Sequence, residues 1–128
     1  MIRNESSENY LETILILSKT RPVVRSVDVA QELGFKKSSV SVAMKRFREN
    51  GYIEMDGDGF ITLLPPGEEI AQRIYGRHKM LTRFLRLLGV SEENAAADAC
   101  KMEHDLSEET FERIREHALR QGVDLLEE

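Results

Sequence analysis

Three residues with metal-binding side chains lie close together in the second half of the chain. Cys100, Glu103 and His104 are spaced at i, i+3 and i+4, so a helix over this stretch would direct all three side chains from one face. A thiolate, a carboxylate and an imidazole form a soft-to-borderline ligand set that suits a divalent transition metal. The spacing therefore predicts a metal site in this part of the chain.

Each of these residues also has an ordinary structural explanation. A lone cysteine is more often a small buried hydrophobic residue, and a lone glutamate on a helix is usually solvated. His78 lies on the apolar stripe of its own predicted helix, where a single histidine is more often part of the core. The prediction of a metal site therefore depends on several candidate ligands lying close together in the fold. The helices and strands that position them determine whether they do.

The first half of the chain has the pattern of a helix-turn-helix. An apolar stripe over residues 8–18 predicts a first helix, and a short second helix over residues 27–33 follows, capped by Ser26. Gly34 ends that helix, as glycine commonly does at a helix C-terminus. Ser38 or Ser39 then caps a longer third helix with apolar residues on its inner side. A short helix, a glycine-containing turn and a longer helix together indicate a helix-turn-helix.

A β-hairpin and further helices are predicted after it. Two short runs of strand-forming residues, 52–55 and 60–63, lie on either side of a Gly/Asp-rich turn. Beyond a Pro-Pro break, a long helix is predicted from about residue 68 to 88, and two more helices follow, capped by Ser91 and Ser107. The predicted fold is mainly α, with an N-terminal winged helix-turn-helix and a two-stranded wing in residues 1–66. An α-helical region fills residues 67–128.

The third predicted helix is the candidate DNA reader. Residues 36–48 contain five Lys or Arg residues and no Asp or Glu, although the whole chain has a net charge of -5. Ammonium groups, hydroxyls and helix N-terminal N–H groups are good phosphate partners, and outward side chains can reach base edges in a major groove. A basic run alone is usually a solvated helix face, so the helix-turn-helix and the hairpin favour double-stranded DNA as partner. The predicted DNA-binding residues are Lys36, Lys37, Ser38, Ser39, Ser41, Val42, Lys45 and Arg46.

The cysteine content and the N-terminal sequence indicate the cellular compartment to expect. The single cysteine allows no internal disulfide and fits a reducing compartment. The N-terminus is too polar for a signal peptide, and the longest apolar run, residues 14–17, is far too short to span a membrane. We therefore expect a cytoplasmic protein with no membrane partner. The sequence carries no His-Glu-x-x-His motif and no phosphate-binding Gly-rich loop, so we do not expect an enzyme.

The motifs, in this order, resemble the family of the diphtheria toxin repressor and the manganese transport regulator. The resemblance covers the whole chain and is carried by several segments: ENYLETI at 8–14, KSSVS at 37–41, NGYI at 50–53, LPPG at 64–67, RHK at 77–79, and ACKMEH at 99–104. It implies a homodimeric repressor of metal-uptake genes in which Fe²⁺ or Mn²⁺ favours binding to a palindromic operator. The helical second half would then be the dimerisation region. In length the chain resembles the short form of the family, which has no C-terminal SH3-like domain.

The resemblance also implies a set of metal ligands, and this chain departs from both branches of the family. Cys100 matches the iron-sensing branch, Glu12 matches the manganese branch, and Asn9 stands where those branches have Met or Asp. Co²⁺, Ni²⁺ or Zn²⁺ are further candidates for binding in vitro. The implied ligands are Asn9, Glu12, His78, Cys100, Glu103 and His104.

Three alternatives stay open at the level of sequence. A winged-helix regulator that senses no metal would share the first half of the chain and differ only in its ligand set. A small metal hydrolase could use Glu103 as a general base. An adaptor could use the winged helix to contact protein only.

Overall fold

The computed structural model describes residues 5–126, with side chains described from Ser6 onward. Its contacts divide the chain into two compact units, Met1–Gln72 and Arg73–Glu128. Within the described residues, every helix is too short or too polar to traverse a lipid bilayer. The elements in chain order are α1 (Glu5–Thr20), α2 (Ser26–Leu33), α3 (Lys37–Glu49), β1 (Ile53–Met55), β2 (Ile61–Leu63), α4 (Pro65–Leu87), α5 (Glu92–Met102) and α6 (Glu108–Arg120).

The first unit contains the predicted helix-turn-helix. Gly34 follows α2 in the left-handed conformation, with φ of 69°, and its N–H donates to the carbonyl of Ala30. A residue with a side chain adopts that φ only with strain, which explains the glycine. The inner face of α3 buries Val40, Met44 and Phe47, as its apolar spacing predicts. This packing fixes which side of α3 points outward.

The predicted N-terminal caps of α2 and α3 are wrong. Arg25 occupies the N-cap position of α2 in place of Ser26, and its backbone N–H donates to Asp28 Oδ2 at 2.9 Å. Lys36 precedes α3 without a side-chain cap, so neither Ser38 nor Ser39 has that role. The serine hydroxyls of α3 are therefore not committed to capping.

The wing is a two-stranded antiparallel hairpin in which Ile53 pairs with Leu63 and Met55 with Ile61. In its turn, Asp56 Oδ1 accepts hydrogen bonds from the backbone N–H groups of Asp58 and Phe60, at 2.9 and 3.0 Å. A side chain that bonds the backbone a few residues ahead stabilises a tight turn. The Gly/Asp-rich segment therefore forms the turn that the sequence predicts.

The long helix α4 begins at Pro65, earlier than predicted, because proline in a first helical turn loses no intrahelical hydrogen bond. Its start packs closely against the segment that precedes the wing. The N–H of Leu64 donates to the Tyr52 carbonyl at 3.0 Å. A Cβ on Gly67 would lie 2.2 Å from that same carbonyl oxygen. Only glycine fits at this contact.

The second unit has its own apolar core. Met80, Leu81, Ala99, Phe111, Ala118 and Leu125 form one buried cluster. The predicted caps of the last two helices are confirmed, since Ser91 Oγ accepts from the N–H of Asn94 at 3.3 Å and Ser107 Oγ from that of Thr110 at 3.1 Å. However, α5 ends at Met102, although it was expected to continue to about His104. The last two predicted ligands therefore lie at and beyond the end of the helix.

Replacing Gly67 with alanine tests the close contact at the start of α4. The new Cβ would overlap the Tyr52 carbonyl oxygen, and backbone cannot yield as a flexible side chain can. We expect Gly67→Ala to lower the free energy of unfolding by about 1–3 kcal/mol in urea denaturation. Gly76→Ala is the matched control, because Gly76 lies on the same helix and a Cβ there would meet none of the described residues within 4 Å. The control should be more stable by about 0.5–1 kcal/mol, and equal effects at both positions would contradict the contact.

Candidate functional site

A buried carboxyl group lies between two imidazole rings in the second unit. Glu103 Oε2 is 3.0 Å from Nδ1 of His78, and Glu103 Oε1 is 3.2 Å from Nε2 of His104. The side chain of Glu103 has no exposure and that of His104 only 2%, whereas His78 is 26% exposed. The three residues therefore form a small polar cluster, the Glu103 cluster, whose outer member is His78.

Local structure explains how the three side chains meet. His78 comes from the middle of α4, and Glu103 is the C-terminal cap of α5, with helical φ and ψ of -59° and -26°. The chain then turns, with Asp105 N–H donating to the Met102 carbonyl at 3.0 Å. His104 is thus directed by the turn that ends α5. The cluster combines the side of one helix with the end of another.

The Glu103 cluster has the chemistry of a divalent cation site. Oε1 of Glu103 is buried and receives no hydrogen bond of normal geometry from any residue that the structure describes, although an imidazole nitrogen lies 3.2 Å away. A carboxylate removed from water is costly unless it is neutralised or coordinates a metal. Carboxylate oxygen and imidazole nitrogen are common ligands of first-row divalent metals. The residues present therefore fit such an ion.

Of the other three predicted ligands, Cys100 belongs to the second unit, and Asn9 and Glu12 belong to the first. Cys100 lies on α5 with an exposed side chain. Asn9 and Glu12 lie on α1 in the first unit, where Asn9 is partly buried and Glu12 is 7% exposed. Within the second unit, the structure brings together His78, Glu103 and His104.

The predicted DNA-binding residues form one exposed face of the first unit. All eight side chains are exposed, and the apolar side chain of Val42 reaches 54% exposure. They lie on α3 or at its N-cap, opposite the buried face that holds α3 in place. Lysine, arginine and serine side chains there are available for phosphate and base contacts. We call this surface the α3 face.

Sequence reasoning missed Arg25, which lies next to the α3 face. Arg25, Lys37 and Ser41 line one shallow cavity of about 320 Å³ between the start of α2 and the wing. The Arg25 guanidinium lies 4.6 Å from the centroid of the Phe60 ring, a cation–π contact that orients it. A basic residue immediately before the second helix of a helix-turn-helix was the signal that could have identified it.

These two features together define a class of protein. A winged helix-turn-helix with an exposed basic face, followed in the chain by a helical unit with a buried carboxylate–imidazole cluster, is typical of a metal-responsive DNA-binding regulator. Residues 4–59 match the family model described as the iron dependent repressor, N-terminal DNA binding domain. Residues 65–119 match the model described as its metal binding and dimerisation domain. The chain belongs to the iron-dependent repressor family, which confirms the resemblance found in the sequence.

Individual relatives agree with this assignment. The HTH-type transcriptional regulator MntR of Geobacillus kaustophilus is 38% identical over 109 residues, which cover 85% of this chain and 77% of the relative. The transcriptional regulator MntR of Escherichia coli O157:H7 is 38% identical over 121 residues, covering 94% of this chain and 78% of the relative. The crystal structure of T. acidophilum IdeR superposes with a TM-score of 0.77 at 27% identity, covering 96% of this chain. This chain spans 57% of the length of that solved chain.

Glu103→Gln separates metal binding from folding. The substitution keeps the size of the side chain but removes one partner of the buried contacts with His78 and His104, so each apoprotein serves as the reference for its own Mn²⁺-saturated form. Saturation with Mn²⁺ at about 100 times its dissociation constant should raise the wild-type melting temperature by about 10 °C, and this rise should vanish in the variant. Thermal unfolding followed by circular dichroism, with and without Mn²⁺, measures both effects.

The matched control for this experiment is Glu112→Gln on α6. Glu112→Gln makes the same change of charge at a side chain that is 60% exposed. The control should keep the full Mn²⁺-dependent rise in melting temperature. A Glu103→Gln protein that is stabilised by Mn²⁺ as strongly as the control would show that Glu103 is not a ligand.

Proposed function

We propose that this protein is a metal-dependent transcriptional regulator that binds a palindromic double-stranded DNA operator as a homodimer. Its effector is Fe²⁺ or Mn²⁺, its role is repression of metal-uptake genes, and it acts in the cytoplasm without enzymatic activity. The buried Glu103 carboxylate between two imidazoles is the observation that carries the proposal. The family assignment and the exposed α3 face support it.

The Glu103 cluster is the proposed centre of the metal site. His78 and His104 provide nitrogen donors and Glu103 provides oxygen. Asn9, Glu12 and Cys100 remain proposed ligands on the strength of the family resemblance. When bound, the metal supplies positive charge that neutralises the buried carboxylate. Co²⁺, Ni²⁺ and Zn²⁺ offer the same borderline chemistry and are proposed to bind in vitro.

The α3 face is the proposed DNA-binding surface. Lys36, Lys37, Lys45 and Arg46 are proposed to contact phosphates, because their cationic side chains are exposed along one helix. Ser38, Ser39, Ser41 and Val42 are proposed to face base edges in the major groove. Arg25 is added to the phosphate contacts, since it shares a cavity with Lys37.

Metal binding and DNA binding are proposed to be linked thermodynamically. A metal that tightens DNA binding by a given factor must itself be bound more tightly on DNA by the same factor. The proposal therefore requires two matching measurements, one of operator affinity with and without metal, and one of metal affinity with and without operator. A winged-helix regulator that senses no metal would show neither effect.

A metal-by-metal titration of operator binding tests the function. We expect chelator-stripped protein to bind the operator at least about tenfold more weakly than protein saturated with Mn²⁺ or Fe²⁺. The double variant Glu103→Gln, His104→Gln should lose this stimulation while keeping a native circular dichroism spectrum. Fluorescence anisotropy with a labelled operator duplex, selected from random sequences if necessary, gives the affinities. Equal binding by stripped and saturated wild type would favour the regulator that senses no metal.

The salt dependence of DNA binding tests the α3 face. Each lost phosphate contact should reduce the slope of log affinity against log salt by about 0.9, so Lys37→Gln should reduce it by about 1.8 in a dimer. Affinity should fall by a similar factor on all sequences, because phosphate contacts do not read bases. Lys101→Gln, the same change at an exposed position on α5, should leave the slope unchanged. Equal slopes for wild type and Lys37→Gln would show that Lys37 does not contact a phosphate.

A further inference from the structure

Arg77 immediately precedes His78 on α4, and its side chain contacts residues at the end of α5 and the start of α6. Arg77 Nη1 donates to the backbone carbonyl of Glu103 at 3.4 Å. Its Nη2 forms an ion pair with Glu108 in the first turn of α6, and its guanidinium lies 4.2 Å from the centroid of the Phe111 ring. One side chain therefore contacts the end of α5 and the start of α6 from α4.

Two adjacent residues of α4 thus contact Glu103, one at its side chain and the other at its backbone. His78 contacts its carboxylate, and Arg77 contacts its backbone carbonyl. The last carbonyls of a helix lack intrahelical partners, so a donor from another element fixes a position that would otherwise fray. Because Glu103 caps α5, this contact restrains the backbone from which its carboxylate projects.

The chemistry of arginine suits this role. Its planar guanidinium presents five donors in a fixed fork and also stacks on aromatic faces, so it can serve three partners at once. Its side chain is only 15% exposed, whereas that of Glu108 is 68% exposed. An ion pair with so exposed a partner contributes little by itself. The hydrogen bond to the Glu103 carbonyl and the packing on Phe111 must therefore provide most of the restraint that Arg77 places on the junction between α5 and α6.

We infer that Arg77 is a positioning residue that preorganises Glu103 for metal binding, an inference that rests on the proposed metal site. Groups that orient metal ligands without touching the ion typically change metal affinity by about 10–100-fold when they are removed. Without Arg77, the junction between α5 and α6 is held to α4 by fewer contacts, and the Glu103 carboxylate samples more orientations. Ordering it again on binding costs affinity.

The test compares metal affinity in the 128-residue chain and four variants of it. Arg77→Met removes the donors and the charge but keeps an unbranched side chain over Phe111. Arg77→Lys keeps the charge but has a single ammonium group. Arg83→Met is the matched control, since Arg83 is also on α4 and its Nη1 donates to the Leu125 carbonyl at 2.8 Å, away from Glu103. His78→Ala tests the proposed metal site itself.

Co²⁺ and Mn²⁺ affinities are measured by competition with a fluorescent chelator, together with the d–d absorption of bound Co²⁺ and the melting temperature of the apoprotein. We expect Arg77→Met to bind both metals at least about tenfold more weakly, with an altered Co²⁺ spectrum. Arg77→Lys should restore part of the affinity. Arg83→Met should bind within about twofold of wild type, even if its melting temperature falls, because independent sites couple weakly.

The outcomes separate this inference from the proposed function. Wild-type affinity in Arg77→Met, with binding lost in His78→Ala, would overturn the role of Arg77 and leave the metal site intact. Wild-type affinity in His78→Ala would overturn the proposed site and this inference with it. An equal loss in Arg83→Met would show general loosening of the second unit and overturn positioning by Arg77. If Arg77→Met does not fold, Arg77→Lys decides, because wild-type affinity and an unchanged Co²⁺ spectrum there would overturn the inference.

Discussion

The burial of one carboxyl group, that of Glu103, constrains the whole second unit. An acidic side chain with no exposure has lost its hydration, and only charge or hydrogen bonds from its neighbours can offset that loss. Two imidazoles flank it, from the side of α4 and from the turn after α5. Ala99 of α5 lies in the same buried cluster as Met80 and Leu81 of α4. The apolar packing thus serves to keep a polar group where water does not reach it.

The α3 face of the first unit follows a different principle, since its polar groups are exposed and an apolar support holds them. Edge-to-face ring contacts join Phe35 to Tyr10, Tyr10 to Phe47, and Phe47 to Tyr52, with centroid distances of 5.7, 6.0 and 6.4 Å. These contacts connect α1, the turn before α3, α3 itself and the segment before the wing. Aromatic pairs in this geometry add stability beyond their buried area. The α3 face is therefore presented by a helix whose other side is fixed by packing on several elements.

Periodicity predicted six helices and a hairpin in the correct order, because burial of one face leaves a direct record in residue spacing. The ends of the elements were less predictable, as the early start of α4 at Pro65 illustrates. For the candidate site, spacing identified Glu103 and His104, whereas His78 came from family resemblance. The different exposure of Cys100 and Glu103 could not be read from spacing, since positions i and i+3 differ in direction by about 60°. That angle separates the buried side of α5 from its solvent side, and only tertiary packing decides which residue lies on which.

The ligand atoms of the Glu103 cluster limit how far metal affinity can differ in favour of one ion over another. Imidazole nitrogens and a carboxylate oxygen bind Mn²⁺, Fe²⁺, Co²⁺ and Zn²⁺ alike, with intrinsic affinity that generally rises along the series from Mn²⁺ to Cu²⁺. A thiolate such as that of Cys100, whose side chain is exposed, would strengthen the preference for the softer ions. The buried donors alone therefore give Mn²⁺ and Fe²⁺ no advantage in affinity over Zn²⁺. Under the proposed function, a selective response to either ion must then arise from the coordination number that the complete site imposes and from the metal concentrations in the cell.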